Sequence, residues 1–193
     1  YPLMKGAAEF ILSWSFLNRE GYLVTAPSTS PEHRFVAPNG ELADVSIGAT
    51  MDISIMWDLF TNCIEGARLL GIDDDFRQKL VTAKSRLLPL QVGKQGRLQE
   101  WSCDFDDEDI HHRHVSHLFG VFPGRQLTAA KEQRLFTAAQ RSLDIRGDEG
   151  TGWSLAWKVC LWARFGNGNR ALKLMSNLLK LAKDESLNYH QGG

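Results

Sequence analysis

Thr50-Met-Asp-Ile-Ser-Ile-Met-Trp-Asp-Leu-Phe-Thr-Asn-Cys-Ile-Glu-Gly-Ala-Arg-Leu-Leu-Gly71 decides the fold class. Its apolar residues Met56, Leu59, Phe60, Cys63, Ile64, Ala67 and Leu70 recur at spacings of three and four, which lines one face of an α-helix. Thr50 reads as the N-cap, Asp52 suits the positive end of the helix dipole, and Gly71 supplies the stop. The same period extends in both directions. Leu3, Ala7, Phe10, Ile11, Trp14 and Leu17 form an earlier stripe. Further helices are predicted over 74–87, 113–119, 131–143, 153–165 and 170–182, with Pro89 ending the first of these and Gly166-Asn167-Gly168 separating the last two. The chain is predicted to be all-α.

Two stretches break the pattern, Arg19 to Gly48 and Leu88 to His112. Loops this long inside a compact domain are uncommon and usually functional. Prolines at 27, 31 and 38 and glycines at 21, 40 and 48 forbid a continuous helix in the first. A short hairpin around Tyr22-Leu23-Val24 is compatible with it, but a sheet is not expected. Antiparallel helices joined by chemically rich loops can build a helical toroid whose cavity the loops line.

With 193 residues, 43% of them hydrophobic, the chain reads as one globular domain. Lys and Arg total 22 against 23 Asp and Glu, so nothing in the charge argues for nucleic acid or an anionic membrane as partner. No apolar run approaches the roughly 20 residues of a membrane span. The first residue is Tyr1, and the chain is read as an internal piece of a longer polypeptide. Cys63, Cys103 and Cys160 are too widely spaced for a Cys-x-x-Cys motif and read as small buried hydrophobes, with one disulfide left open. Six Trp and ten Phe suit either a sugar-binding cleft or a large helical core.

Four clusters carry chemistry. In Thr25-Ala-Pro-Ser-Thr-Ser-Pro-Glu-His33, two prolines stiffen a loop that presents the carboxyl of Glu32, a good mount for a general acid. Burial of that carboxyl among aromatics would raise its pKa. In Gln99-Glu100-Trp101, a carboxylate stands against an aromatic platform, ahead of an acidic run from Asp104 to Asp109 that reads as a solvated turn. His111-His-Arg-His-Val-Ser-His117 packs four histidines and an arginine into seven positions; if helical, His114 and His117 share a face. A metal site is one reading of it, although the spacing fits no zincin or zinc finger. A hydrogen-bonding cluster for sugar hydroxyls is the other. Finally, Arg146-Gly-Asp-Glu-Gly-Thr-Gly-Trp153 opens a helix with three glycines, lacks the Lys-Ser/Thr of a nucleotide-binding loop, and sets Trp153 beside the helix N-terminus. Its Arg-Gly-Asp triplet reads as chance.

Taken in order, Thr25-x-Pro-Ser-x-Ser-Pro-Glu32, Thr50-Met-Asp52, Glu100-Trp101, His112-Arg-His-x-Ser-His-Leu118 and Gly152-Trp-Ser-x-x-Trp-Lys158 resemble the α-L-fucosidases of glycoside hydrolase family 95, the plant members above all. The resemblance runs from Tyr1 to about Leu181. It implies part of an (α/α)6 toroid that hydrolyses terminal α-1,2-linked L-fucose, on oligosaccharides or xyloglucan, with inversion. No metal or organic cofactor is implied. The family's acid falls on Glu32, with Glu100 as the alternative, and its sugar-contacting Arg-His pair on Arg113 and His114. Glu100 and Trp153 are expected to join them in binding substrate. An inverting site needs its acid and base about 6.5–9.5 Å apart on opposite faces of the sugar. The family's water-positioning asparagines, expected before Tyr1, and its aspartate motif, expected after Ser186-Leu-Asn-Tyr-His-Gln-Gly-Gly193, are not in the chain.

Within the family α-L-galactosides are an alternative substrate. A non-catalytic sugar-binding piece and a metal-binding helical domain are the other readings. By resemblance the plant polypeptide acts outside the cell, in the apoplast. Taken alone, the 193 residues are expected to be inactive and poorly soluble, because the rest of the polypeptide would complete the site and cover exposed helix faces. Measurable fucose release by the purified chain would contradict this.

Overall fold

Pro2 has no amide to leave unpaired at a helix start, and α1 (Pro2–Trp14) begins there. In the computed structural model, residues 1–183 are described, with the side chains of 1–180; the tail from Ser186 to Gly193 falls outside them. The other helices among the described residues are α2 (Thr50–Leu70), α3 (Asp74–Ser85), α4 (Gln133–Arg146), α5 (Gly152–Arg164) and α6 (Gly168–Lys183). The class is all-α, as the periodicity implies.

The details differ in four places. In α1 the residues turned inward are Met4, Ala8, Ile11 and Leu12, while Leu3 and Phe10 of the expected stripe are 91% and 62% exposed. Both faces of this helix are apolar, so periodicity alone left the inward one ambiguous. In α2 the inward stripe is Ile53, Met56, Phe60, Cys63 and Ala67, and Gly71 closes the helix in the left-handed region at φ 66°. Thr50 is not the N-cap, which is Ala49. Thr50 instead donates its hydroxyl to the Gln99 carbonyl (2.7 Å), and its amide bonds the Glu100 carbonyl (3.0 Å).

The helix predicted over 113–119 shrinks to a single 3-10 turn, Ser116–Leu118. Its amides bond three residues back, Leu118 N to the Val115 carbonyl (2.8 Å) and Phe119 N to the Ser116 carbonyl (3.1 Å), while ahead of it the His114 amide bonds Nδ1 of His112 (3.1 Å). Lastly, the loops do form a small sheet. A hairpin pairs β1 (Phe16–Leu17) with β2 (Leu23–Val24), and β3 (Phe35–Val36) lies between β4 (Leu42–Ala43) and β5 (Asp106–Asp107), antiparallel to both. Strands of two residues leave no alternation to read. They answer a different demand, since buried loop backbone must find hydrogen-bond partners.

Two apolar cores result. One joins α1, α2 and α3 through Ala8, Ile53, Met56, Phe60, Cys63 and Leu80. The other joins α4, α5 and α6 through Leu143, Leu155, Leu161, Trp162 and Leu174, with Val115 and Leu118 inserted from the loop. Lys158 is fully buried in the second, where its ammonium donates to the carbonyls of Gly147 (3.0 Å) and Glu149 (2.6 Å). All three cysteines are free; Cys63 is buried as expected, Cys160 is half-buried, and Cys103 is exposed. No helix among the described residues is long and apolar enough to cross a membrane.

Leu118 has no exposed surface and plugs the seam between the loop and the helices. Leu118→Ala is expected to lower stability by about 2–5 kcal/mol, from lost transfer energy and the cavity left behind, read as a lower urea midpoint at an unchanged slope.

Candidate active site

Glu32 follows a proline and is followed two bonds later by a closing hydrogen bond, His33 N to Ser30 O (3.1 Å). Proline in the second position of a four-residue turn and a left-handed residue in the third is the type II pattern, whose third position normally belongs to glycine. Here Glu32 takes it, at φ 55°. A side chain in that region costs on the order of 1 kcal/mol. The turn projects the carboxylate outward, and the Glu32 side chain is 61% exposed. The expected burial among aromatics is therefore not found among the described residues.

Arg113 and His114 converge on that carboxylate from the second loop. Arg113 Nη2 donates to Glu32 Oε2, and His114 Nε2 lies 3.1 Å from the same oxygen. Trp153, at the start of α5, stands edge-on to the His114 ring with centroids 4.8 Å apart, and keeps 36% of its surface exposed. Ser154 Oγ donates to the Arg113 carbonyl at 2.6 Å. Gly150 leaves room for that hydroxyl, because a Cβ there would stand 2.8 Å from it. The His114 ring titrates below its ordinary value, owing to burial and then to the Arg113 charge, against the opposing pull of Glu32. Four of the five expected residues thus form one surface group: Glu32, Arg113, His114 and Trp153.

Glu100 does not join them. It is only 6% exposed, and each oxygen is taken. Oε1 accepts from Ser30 Oγ (2.5 Å) and lies 3.0 Å from His33 Nδ1, while Oε2 accepts from Arg146 Nη2. Burial opposes its ionisation, but His117, Arg146 and His33 outweigh it and hold the carboxyl far below the usual range. Such a group neither reaches a sugar nor gives up a proton near neutral pH. Trp101 is likewise no platform: it is 2% exposed and packs on His33 and Phe35.

Composition hid the buried charges around Glu100. Asp107, expected in a solvated turn, has a side chain only 3% exposed, which pairs with Arg97 and, at 3.3 Å, with Arg146. Arg146, from the supposedly incidental Arg-Gly-Asp triplet, is 3% exposed. The signal available in the sequence was an arginine followed directly by Gly147 at the end of a helical stretch.

The first loop is fastened from below as well. Thr25 Oγ1 (2.8 Å) and Ser28 Oγ (2.7 Å) both donate to Asp52 at the start of α2, and Ser28 Oγ accepts from the Ala49 amide at 2.8 Å.

The four clustered histidines part company. His111 Nδ1 meets the Ile145 carbonyl (3.0 Å), His112 stacks on His33 (4.5 Å, 9°), His114 meets Glu32, and His117 Nδ1 lies 3.3 Å from Glu100 Oε2. A shared helical face for His114 and His117 is not formed. Another trio, His33, Glu100 and Asp107, offers ligand atoms within 4.8 Å of one another. Arg146 and Arg97 already neutralise those two carboxylates, so a divalent ion would have to displace two guanidinium groups.

Set against known proteins, residues 1–192 match the model of the glycosyl hydrolase family 95 catalytic domain. Alpha-L-fucosidase 2 of Arabidopsis thaliana is 41% identical over 194 residues, covering 100% of this chain and 23% of the relative. Probable alpha-fucosidase A of Aspergillus niger is 33% identical over 84% of the chain and 21% of its own length. That of Aspergillus oryzae is 28% identical over 88% and 24%. The chain therefore spans about a quarter of the length of these relatives.

Burial lowers the pKa of both His112 and His117 to about 4, from 6.5. The unfolded chain takes up protons at these positions between pH 6.5 and 4 while the folded chain does not, so stability must fall as pH falls through that window. Below about pH 4.5 the depressed Glu100 adds to the loss, because the unfolded carboxyl protonates first. Thermal melting followed by circular dichroism is expected to show a midpoint that drops steadily from pH 7 to 4, and His117→Gln should flatten the slope. A midpoint independent of pH would contradict this.

Proposed function

The chain belongs to glycosyl hydrolase family 95, and on that premise we propose that it carries the acid and sugar-contact side of an α-L-fucosidase site. In this reading the enzyme removes terminal α-1,2-linked L-fucose from oligosaccharides or xyloglucan with inversion at the anomeric carbon. The observation that carries the reading is the exposed Glu32 carboxylate, fixed in a left-handed turn, with Arg113 and His114 on one of its oxygens. The sugar is suggested by the relatives, an alpha-L-fucosidase and a probable alpha-fucosidase.

Glu32 hands its proton to the leaving glycosidic oxygen as the anomeric bond breaks. Arg113 has five N–H donors in a fixed fork, more than Glu32 uses, so sugar hydroxyls can share the guanidinium with it. A mostly neutral His114 can donate to or accept from a hydroxyl. Trp153 gives an apolar edge for the ring face of the sugar. In an inverting enzyme the water attacks from the opposite face, so the groups that position it stand on the far side of the sugar from Glu32. We assign them to the rest of the polypeptide, as asparagines polarised by an aspartate. The same remainder completes one (α/α)6 ring with these helices, and the outward Leu3 and Phe10 of α1 support that placement. By the same analogy the polypeptide acts in the apoplast.

The test is Glu32→Gln in the natural polypeptide that carries these residues. With 2′-fucosyllactose, kcat is expected to fall on the order of 10²–10⁴-fold, the usual contribution of a positioned acid. Proton NMR of the first product should show β-L-fucose. Unchanged turnover would remove Glu32 from its role, and faster hydrolysis of the corresponding α-L-galactoside would replace the sugar.

A further inference from the structure

We infer that Glu100 and Arg146 are a positioning pair, a buried clasp that fixes the Glu32 turn against the Arg113–His114 segment. The inference rests on the reading of Glu32 as the acid, yet the geometry behind it is separate. Glu32 is flanked by two anchors to one oxygen: Ser30 Oγ at 2.5 Å and His33 Nδ1 at 3.0 Å from Glu100 Oε1. These hold the turn on both sides of its left-handed residue. The other oxygen of Glu100 takes Arg146 Nη2.

Arg146 then reaches the opposite segment. Its Nη1 donates to the Ile110 carbonyl (2.9 Å), its Nε to the His114 carbonyl (3.3 Å), and its Nη2 lies 3.2 Å from His33 Nδ1. His33 adds a second bridge, since its Nε2 meets the Asp109 carbonyl (3.1 Å) and its ring stacks on His112. The His112 Nδ1 in turn bonds the His114 amide. This buried cluster ties the Glu32 turn to the His114 backbone from beneath, in addition to the contacts Glu32 itself makes with Arg113 and His114 and to the pairing of β3 with β5, and neither charge contacts Glu32. Side chains only 3% and 5% exposed leave the pair no role at the surface. A planar guanidinium serves where lysine would not, because three different directions are used at once.

Misplacement of an acid relative to the groups around it by about an ångström lowers the chemical step without abolishing binding. The test compares Ser30→Ala, Glu100→Gln and Arg146→Lys in the natural polypeptide, with Glu32→Gln as reference. Ser30→Ala removes one hydroxyl and guards against the other two failing to fold. For each folded variant, kcat on 2′-fucosyllactose is expected to fall on the order of tenfold, with KM within about twofold. Hydrogen exchange followed by mass spectrometry supplies the second readout, independent of turnover. Peptides covering residues 28–35 and 108–116 should both lose protection in Ser30→Ala and Glu100→Gln, and neither should in Glu32→Gln. Loosening of one segment without the other, or of the whole chain equally, overturns the clasp. Unchanged kcat in all folded variants overturns it too. If Glu32→Gln stays active while both segments loosen together, the acid assignment fails and the clasp stands as structure alone.

Discussion

A carboxylate and a guanidinium that are almost wholly withdrawn from water set the terms for the middle of this molecule. Each of Glu100 and Arg146 loses several kcal/mol of hydration on burial, which their mutual attraction restores only if the remaining lone pairs and protons are met. Ser30, His33, Asp107 and the carbonyls of Ile110 and His114 meet them. These donors and acceptors lie on the two long loops and, for His114, just past the end of the second. The need to satisfy one ion pair therefore adds a polar tie between segments that also meet through Phe35 against Trp101 and Phe105. The helices on either side have their own cores, and the charged seam lies between them.

That division explains what could and could not be read from sequence. The helices from α2 onward were legible because burial on one face leaves a period of three and four, as in Ile53, Met56, Phe60, Cys63 and Ala67. In α1 the rule lost its power, since Leu3 and Phe10 outside are as apolar as Ala8 and Ile11 inside. The expected helix through the histidines is a single 3-10 turn, and the four rings take four separate partners on other segments, which no periodic pattern records.

Within the site, Glu32, Arg113, His114 and Trp153 were legible as residue types in motifs, and the fold assembles them at one surface. Glu100 was misplaced for a physical reason. A carboxylate beside a tryptophan suits a sugar platform and a buried ion pair equally, and only the position of Arg146, 46 residues along, separates the two. The acidic run concealed Asp107 in the same way. Five of its charges in six positions look solvated, and a single one turns inward to two arginines.

The turn at Pro31-Glu32 has a consequence for how such a chain can change over generations. Its third position would be more comfortable as glycine, so replacements there that discard the carboxylate relieve the backbone. Selection for robustness alone would push this codon toward the simplest residue and delete the side chain that reaches the surface. Durability and the surface carboxylate therefore pull in opposite directions at that corner.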